Sequence, residues 1–180
     1  MRADGDRFRG VCRLVAGLSV ALAGLVPVSA AAAEVPPRVA TLHATISGCE
    51  AGDGPSLAKS EPIVAGVSET ATLVALPCLR TGANVLYRLY ILESGEIGGI
   101  HPVYVATYSP RFGWMGADTV ANIRYDANRK RLASVYKGRR EDDCGANAEW
   151  IWKDYAFALE TYAIKRHCKS GRWTTVFPIR

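Results

Sequence analysis

The densest run of side chains able to do chemistry is Lys137-Gly138-Arg139-Arg140-Glu141-Asp142-Asp143-Cys144, which sets three bases beside three acids. Asp142 and Asp143, next to Arg139 and Arg140, could share a proton or bind a cation. With a histidine brought near by folding, they could serve a hydrolase. The same residues suit a solvated turn in which acids answer bases, because exposed ion pairs are individually weak. His43, His101 and His167 share no short spacing with one another or with an acid, and neither a GxSxG elbow nor an HExxH helix is present. We therefore assign no catalytic residue, no metal ligand and no cofactor from the sequence. Arg139, Arg140, Asp142 and Asp143 stand as candidate binding residues.

Aromatics are the second chemical resource. Tyr87, Tyr90, Tyr104, Tyr108, Phe112, Trp114, Tyr125, Tyr136, Trp150, Trp152 and Tyr155 are too many for a chain of this size to bury completely. Trp and Tyr on a groove or sheet face anchor glycans or protein partners. Ser109 to Gly116 (SPRFGWMG) reads as a loop, which makes Phe112 and Trp114 the aromatics expected to be exposed and to bind. The plainer alternative for Trp150 and Trp152 is a core stack sealing Cys144. Two basic groups, Arg129-Lys130-Arg131 and Lys165-Arg166 with Lys169 and Arg172, leave contact with anionic lipid as a weaker option.

The five cysteines divide into Cys12 and a set of four: Cys49, Cys78, Cys144 and Cys168. An even number in an exported chain reads as a disulfide framework, and the thiols are too far apart for a zinc site. Of three possible connectivities we favour Cys49 with Cys78 and Cys144 with Cys168, since each pair encloses one short stretch of chain.

Export is itself a sequence expectation. Arg2, Arg7, Arg9 and Arg13 precede the uncharged run Leu14 to Val28, and Ser29 to Ala33 supplies small residues before Glu34. This is the layout of a secretory signal, residues 1–33, cut after Ala33. Counting the alanines lengthens the run to about 20 residues, enough for a retained anchor, which is the rival reading. With the signal removed, no permanent membrane span is expected, and the product is periplasmic or secreted. The net charge of +5 then falls to 18 Lys and Arg against 15 Asp and Glu. That balance gives little ground for nucleic-acid binding. An envelope protein or a glycan is the expected partner.

These side chains need a scaffold, and the pattern is of strands. Runs rich in Val, Ile, Tyr, Thr and Trp lie between turn-forming clusters. We read strands at Val39 to Ile46, Thr70 to Leu76, Val85 to Leu92, Val103 to Tyr108, Val120 to Tyr125, Leu132 to Lys137, Ala148 to Trp152, Phe157 to Ile164 and Trp173 to Pro178. Asp154 to Arg166 would also fit a helix, but Phe157 and Thr161 favour the strand. Gly, Ser and Pro make residues 48–62 a loop. Short turns imply antiparallel pairing. The expected fold is a mostly β, disulfide-stapled single domain over residues 34–180, an antiparallel meander or small barrel or sandwich.

From about residue 73 to 180 the chain resembles DUF1176, a family of uncharacterised bacterial envelope proteins. The resemblance rests on Leu76-Pro77-Cys78, Gly82-Ala83-Asn84, Asn122, Tyr125-Asp126, Lys137-Gly138-Arg139, Asp143-Cys144-Gly145, Trp150, Trp152, Phe157, Leu159, Cys168 and Pro178. Departures are Arg140 and Asp142 in place of two loop glycines, Asp154 in place of a hairpin glycine, and no tyrosine before Asn84. Members often carry an additional N-terminal half. The resemblance implies an envelope location and no established activity; the most direct functional expectation is a non-catalytic binding or interaction module. A purely structural envelope component is the remaining alternative.

Overall fold

Leu73, Val74, Ala75 and Leu76 are buried in succession, which a strand allows only when both of its faces are covered. The computed structural model describes residues 34–46, 48–49, 57, 59–138 and 144–178. In chain order its elements are α1 (Pro37–Thr45), β1 (Ile63–Gly66), β2 (Ala71–Thr81), β3 (Asn84–Glu93), β4 (Gly99–Pro102), β5 (Val105–Ser109), β6 (Gly113–Ala117), β7 (Thr119–Ala121), β8 (Arg124–Asp126), β9 (Arg131–Lys137), β10 (Gly145–Lys153), β11 (Ala156–Lys165) and β12 (Thr174–Phe177). One sheet runs β1-β2-β3-β4, with β7 also on β3; a second runs β12-β11-β10-β9-β8; β5 and β6 form a separate hairpin. Every pairing is antiparallel, and the sheets do not close into a barrel.

The core lies between the two larger sheets. Leu73, Ala75, Leu89 and Ile91 of the first meet Leu132, Ala148, Trp150, Phe157 and Tyr162 of the second. On the opposite face of the first sheet, Val74, Leu76 and Tyr90 are covered by Val39 and Leu42 of α1. Burying a side chain of the Val or Leu class contributes about 1.5 to 3 kcal/mol. The outer face of the second sheet is polar: Arg131 reaches Glu149 at 3.5 Å and Glu160 at 3.0 Å across three neighbouring strands.

The helix corrects the strand expected at Val39 to Ile46. Pro36 and Pro37 lead into it, proline being suited to the first turn. Val39, Leu42 and Ile46 recur at helical spacing and pack on the sheet. The hydroxyls of Thr41 and Thr45 donate to the carbonyls of Pro37 (3.0 Å) and Leu42 (2.7 Å), which satisfies β-branched residues that otherwise suggest a strand. His43 fastens α1 to the sheet. Its Nε2–H donates to the Pro77 carbonyl at 3.1 Å, so Nδ1 accepts from the Tyr90 hydroxyl at 2.9 Å. Burial pushes the His43 pKa below its ordinary value, the Pro77 contact opposes this, and the Arg88 charge adds to the lowering.

Two further corrections concern β structure. The expected strand Val120 to Tyr125 is broken at Asn122, whose φ of 43° turns the chain from β7 in the first sheet to β8 in the second. Asn is among the residues that tolerate this left-handed conformation. The expected loop Ser109 to Gly116 is instead mostly hairpin, with Gly113 at φ 80° ending its turn and Tyr108 paired with Trp114. Both disulfides form as expected, Cys49–Cys78 and Cys144–Cys168, with Cα atoms 4.4 Å and 4.6 Å apart. Such bonds belong to chains that fold outside the reducing cytoplasm. The first closes the connection from α1 to β2. Among the described residues no helix is long and apolar enough to cross a membrane. Residues 1–33, and most of the loop expected over 48–62, lie outside the described residues.

Candidate functional site

The hairpin, β7 and strands β9 to β11 converge on a cleft of about 590 Å³, with Leu86 of β3 also in its wall. The hairpin supplies Val105, Thr107, Tyr108, Ser109 and Pro110; β7 supplies Val120 and Ala121; β9 to β11 supply Ser134, Tyr136, Ala146, Trp150, Tyr162 and Ile164. Val105, Val120, Ala146, Trp150 and Ile164 give the walls their apolar character. Polar groups are few and placed. Thr107 Oγ1 and the Tyr162 hydroxyl lie 2.9 Å apart, and the Ser134 hydroxyl donates to the Ala121 carbonyl at 2.8 Å. Lys165, Arg166 and the Cys144–Cys168 bridge line one end. Trp150 is buried and its indole N–H has no hydrogen-bond partner among the described residues.

A knot of amides braces this end of the molecule. The Asn122 amide donates to Asn84 Oδ1 and to the Val135 carbonyl, both at 2.8 Å, while its own Oδ1 accepts from the Val85 N–H at 2.9 Å. Asn84 reaches β9 twice, donating to the Lys137 carbonyl and accepting from the Lys137 N–H, each at 2.8 Å. Four backbone groups from both sheets are thereby satisfied by two side chains.

Both ends of the Lys137 to Cys144 motif are fixed. The Gly138 N–H donates to the Cys144 carbonyl at 2.9 Å. A Cβ on Gly145, whose φ is 138°, would lie 1.9 Å from the Tyr136 carbonyl oxygen. Gly138 and Cys144 line the cleft; Arg139, Arg140, Asp142 and Asp143 lie outside the described residues.

Phe112, at the hairpin tip, is 68% exposed, with the Arg111 guanidinium 5.1 Å from its ring centre. Trp114 is 43% exposed and packs edge-on against Tyr108, Tyr162 and Phe177, so it clamps the hairpin to β11 and β12 while showing one side to solvent. Trp150 and Trp152 share the inward face, but only Trp150 lines the cleft with Cys144; Trp152 packs on Phe157. None of the histidines lines the cleft: His43 holds α1, His101 bonds the Ile97 carbonyl, and His167 is exposed. Among the described residues no three His, Cys, Asp or Glu side chains gather as metal ligands would.

The residues that sequence reasoning did not single out are Thr107, Ser134 and Tyr162. Their inward direction follows from strand periodicity, but their meeting depends on the hairpin folding over the second sheet.

No curated protein and no solved structure matches the chain. A family model, described as a protein of unknown function (DUF1176), matches residues 22–180 and so takes in α1 and β1 as well as the region of resemblance. With the whole described scaffold inside that match, the chain belongs to the DUF1176 family.

Proposed function

We propose that the protein is an exported binding module of the bacterial envelope that holds a small amphipathic ligand in the cleft between the β5–β6 hairpin and the second sheet. The observation that carries this reading is the cleft itself. Its volume, about 590 Å³, falls in the range of small-molecule sites, and its apolar walls end at Lys165 and Arg166, which suits an apolar body with an anionic end. The two disulfides support an oxidising compartment, and the basic, apolar, small-residue order of residues 1–33 supports export.

Titration with 1-anilinonaphthalene-8-sulfonate, an apolar anion whose fluorescence rises on burial, tests the proposal. One site per chain is expected. Ala146→Phe, which fills the cleft, should abolish the signal, and Arg166→Ala should weaken it. Undiminished binding by Ala146→Phe would remove the reading. The exposed Phe112 favours a second reading, in which an envelope protein docks on the hairpin tip. A photo-crosslinker at position 112 that captured no partner in intact cells would exclude it.

A further inference from the structure

A second cavity, of about 240 Å³, is lined by Glu93, His101, Tyr104, Trp152, Tyr155 and Phe157 among others. It is separate from the cleft. The two linings share no residue, although they abut where Tyr104 of the cavity precedes Val105 of the cleft.

Two observations mark the cavity as more than a packing defect. First, Tyr155 is held at φ 63° beside Asp154 at φ 50°, in the two-residue turn joining β10 to β11. Such turns take Asn or Gly, and a bulky ring there is strained. The Tyr155 side chain is 76% exposed, so core packing does not compensate. Strain retained without packing points to a role for the ring. Tyr104, on the same cavity, is 69% exposed.

Second, the lining sets aromatic rings and one carboxylate among aliphatic groups such as Ile91, Ile97 and Val103. Glu93 is buried, and its carboxylate accepts from the Gly95 N–H at 2.9 Å. Hydrogen bonds from Thr70 and Gly95 hold this carboxyl below the usual range, so it is anionic at neutral pH. His101 Nε2–H donates to the Ile97 carbonyl at 3.1 Å, which leaves Nδ1 as an acceptor. No lysine or arginine lines the cavity. Aromatic faces and a carboxylate attract a cation directly.

We propose that this cavity binds the ammonium group of a small organic cation, with the rings of Tyr104, Trp152 and Tyr155 around the charge and Glu93 behind it. The probe is choline, compared with its neutral isostere 3,3-dimethylbutan-1-ol, titrated into the disulfide-bonded protein while the tryptophan indole resonances are followed by NMR. Choline should produce a saturable shift of the Trp152 indole, and the isostere should bind about tenfold more weakly. Glu93→Gln should reduce that preference. Tyr155→Gly removes the backbone strain, so it should fold at least as well as the parent while weakening choline severalfold; it keeps the test decisive if Glu93→Gln does not fold. Ala146→Phe, which fills the cleft at a position six residues along β10 from Trp152, should leave choline binding intact, separating this proposal from the preceding one. Equal binding of the isostere, no saturable shift with choline, unchanged affinity in Tyr155→Gly, or preference for a neutral disaccharide would overturn it.

Discussion

The Asn122 side-chain amide donates a hydrogen bond of 2.8 Å to Asn84 Oδ1 across the gap between the two sheets, at the residue where the chain itself crosses from one sheet to the other. Covalent and hydrogen-bonded links between the sheets therefore coincide. Asn122→Ala would leave the Val85 N–H and the Val135 carbonyl without their partner and would put an unsuited residue at positive φ. We expect a loss of about 3 kcal/mol in urea unfolding. Asn84→Ala should cost a similar amount, and the double variant should cost clearly less than their sum, because both act on one network.

Gly145→Ala should be among the most damaging single changes. The added Cβ would meet backbone at 1.9 Å, not a yielding side chain. A destabilisation of about 3 kcal/mol or more is expected, measurable as a lowered denaturation midpoint in the oxidised protein.

Acid should weaken the protein in two separate windows. The folded pKa of His43 lies below 6.5, so on acidification the unfolded chain takes up the proton first. The stability contributed by neutral His43 is complete above about pH 6.5 and is lost as pH falls from there toward the folded value. His43→Gln should flatten the pH dependence of the urea midpoint between about pH 7.5 and pH 5.5. Glu93, also lowered, contributes stability that is present above its ordinary value of 4.5 and lost only below it. Glu93→Gln should therefore leave the upper window unaltered.

Phe112 and Trp114 should behave differently although both are aromatic residues of one hairpin. Trp114→Ala removes three edge-on ring contacts and should raise amide hydrogen exchange throughout β5 and β6, since an isolated two-stranded hairpin is marginal in water. Phe112→Ala removes an exposed ring and should change stability by less than about 0.5 kcal/mol. Equal exchange in the two variants would contradict the clamp.

Strand periodicity and cysteine spacing made much of this architecture legible. Val85 to Leu92, Leu132 to Lys137, Ala148 to Trp152 and Phe157 to Ile164 all fall within strands, as does Thr70 to Leu76 apart from Thr70 itself, and both disulfide pairs formed as the two short enclosed stretches suggested. The helix was not legible because Val39, Thr41, Thr45 and Ile46 are residues that strands favour, and their helical spacing gains meaning only against the apolar strip of Val74, Leu76 and Tyr90. The break at Asn122 was hidden for a related reason. An asparagine between Ala121 and Ile123 looks like one polar residue in a strand until its side chain is seen to bond both sheets. At the site, Ser109, Pro110, Gly138 and Cys144 border the cleft, whereas Phe112 and Trp114 are not among its lining residues and Arg139, Arg140, Asp142 and Asp143 lie outside the described residues. The cleft's interior was unreadable because Thr107, Ser134 and Tyr162 come from strands that no local signal brings together.

The Cys49–Cys78 bridge has a consequence for the fate of the whole molecule. Reduction would leave α1 held by His43 and a few aliphatic contacts, and release of the helix would bare Val74, Leu76 and Tyr90 as a greasy stripe along two central strands. Oxidation of this one pair thus divides the molecules into those that stay dispersed and those prone to self-association. Sedimentation of the Cys49→Ala/Cys78→Ala form would reveal that partition directly.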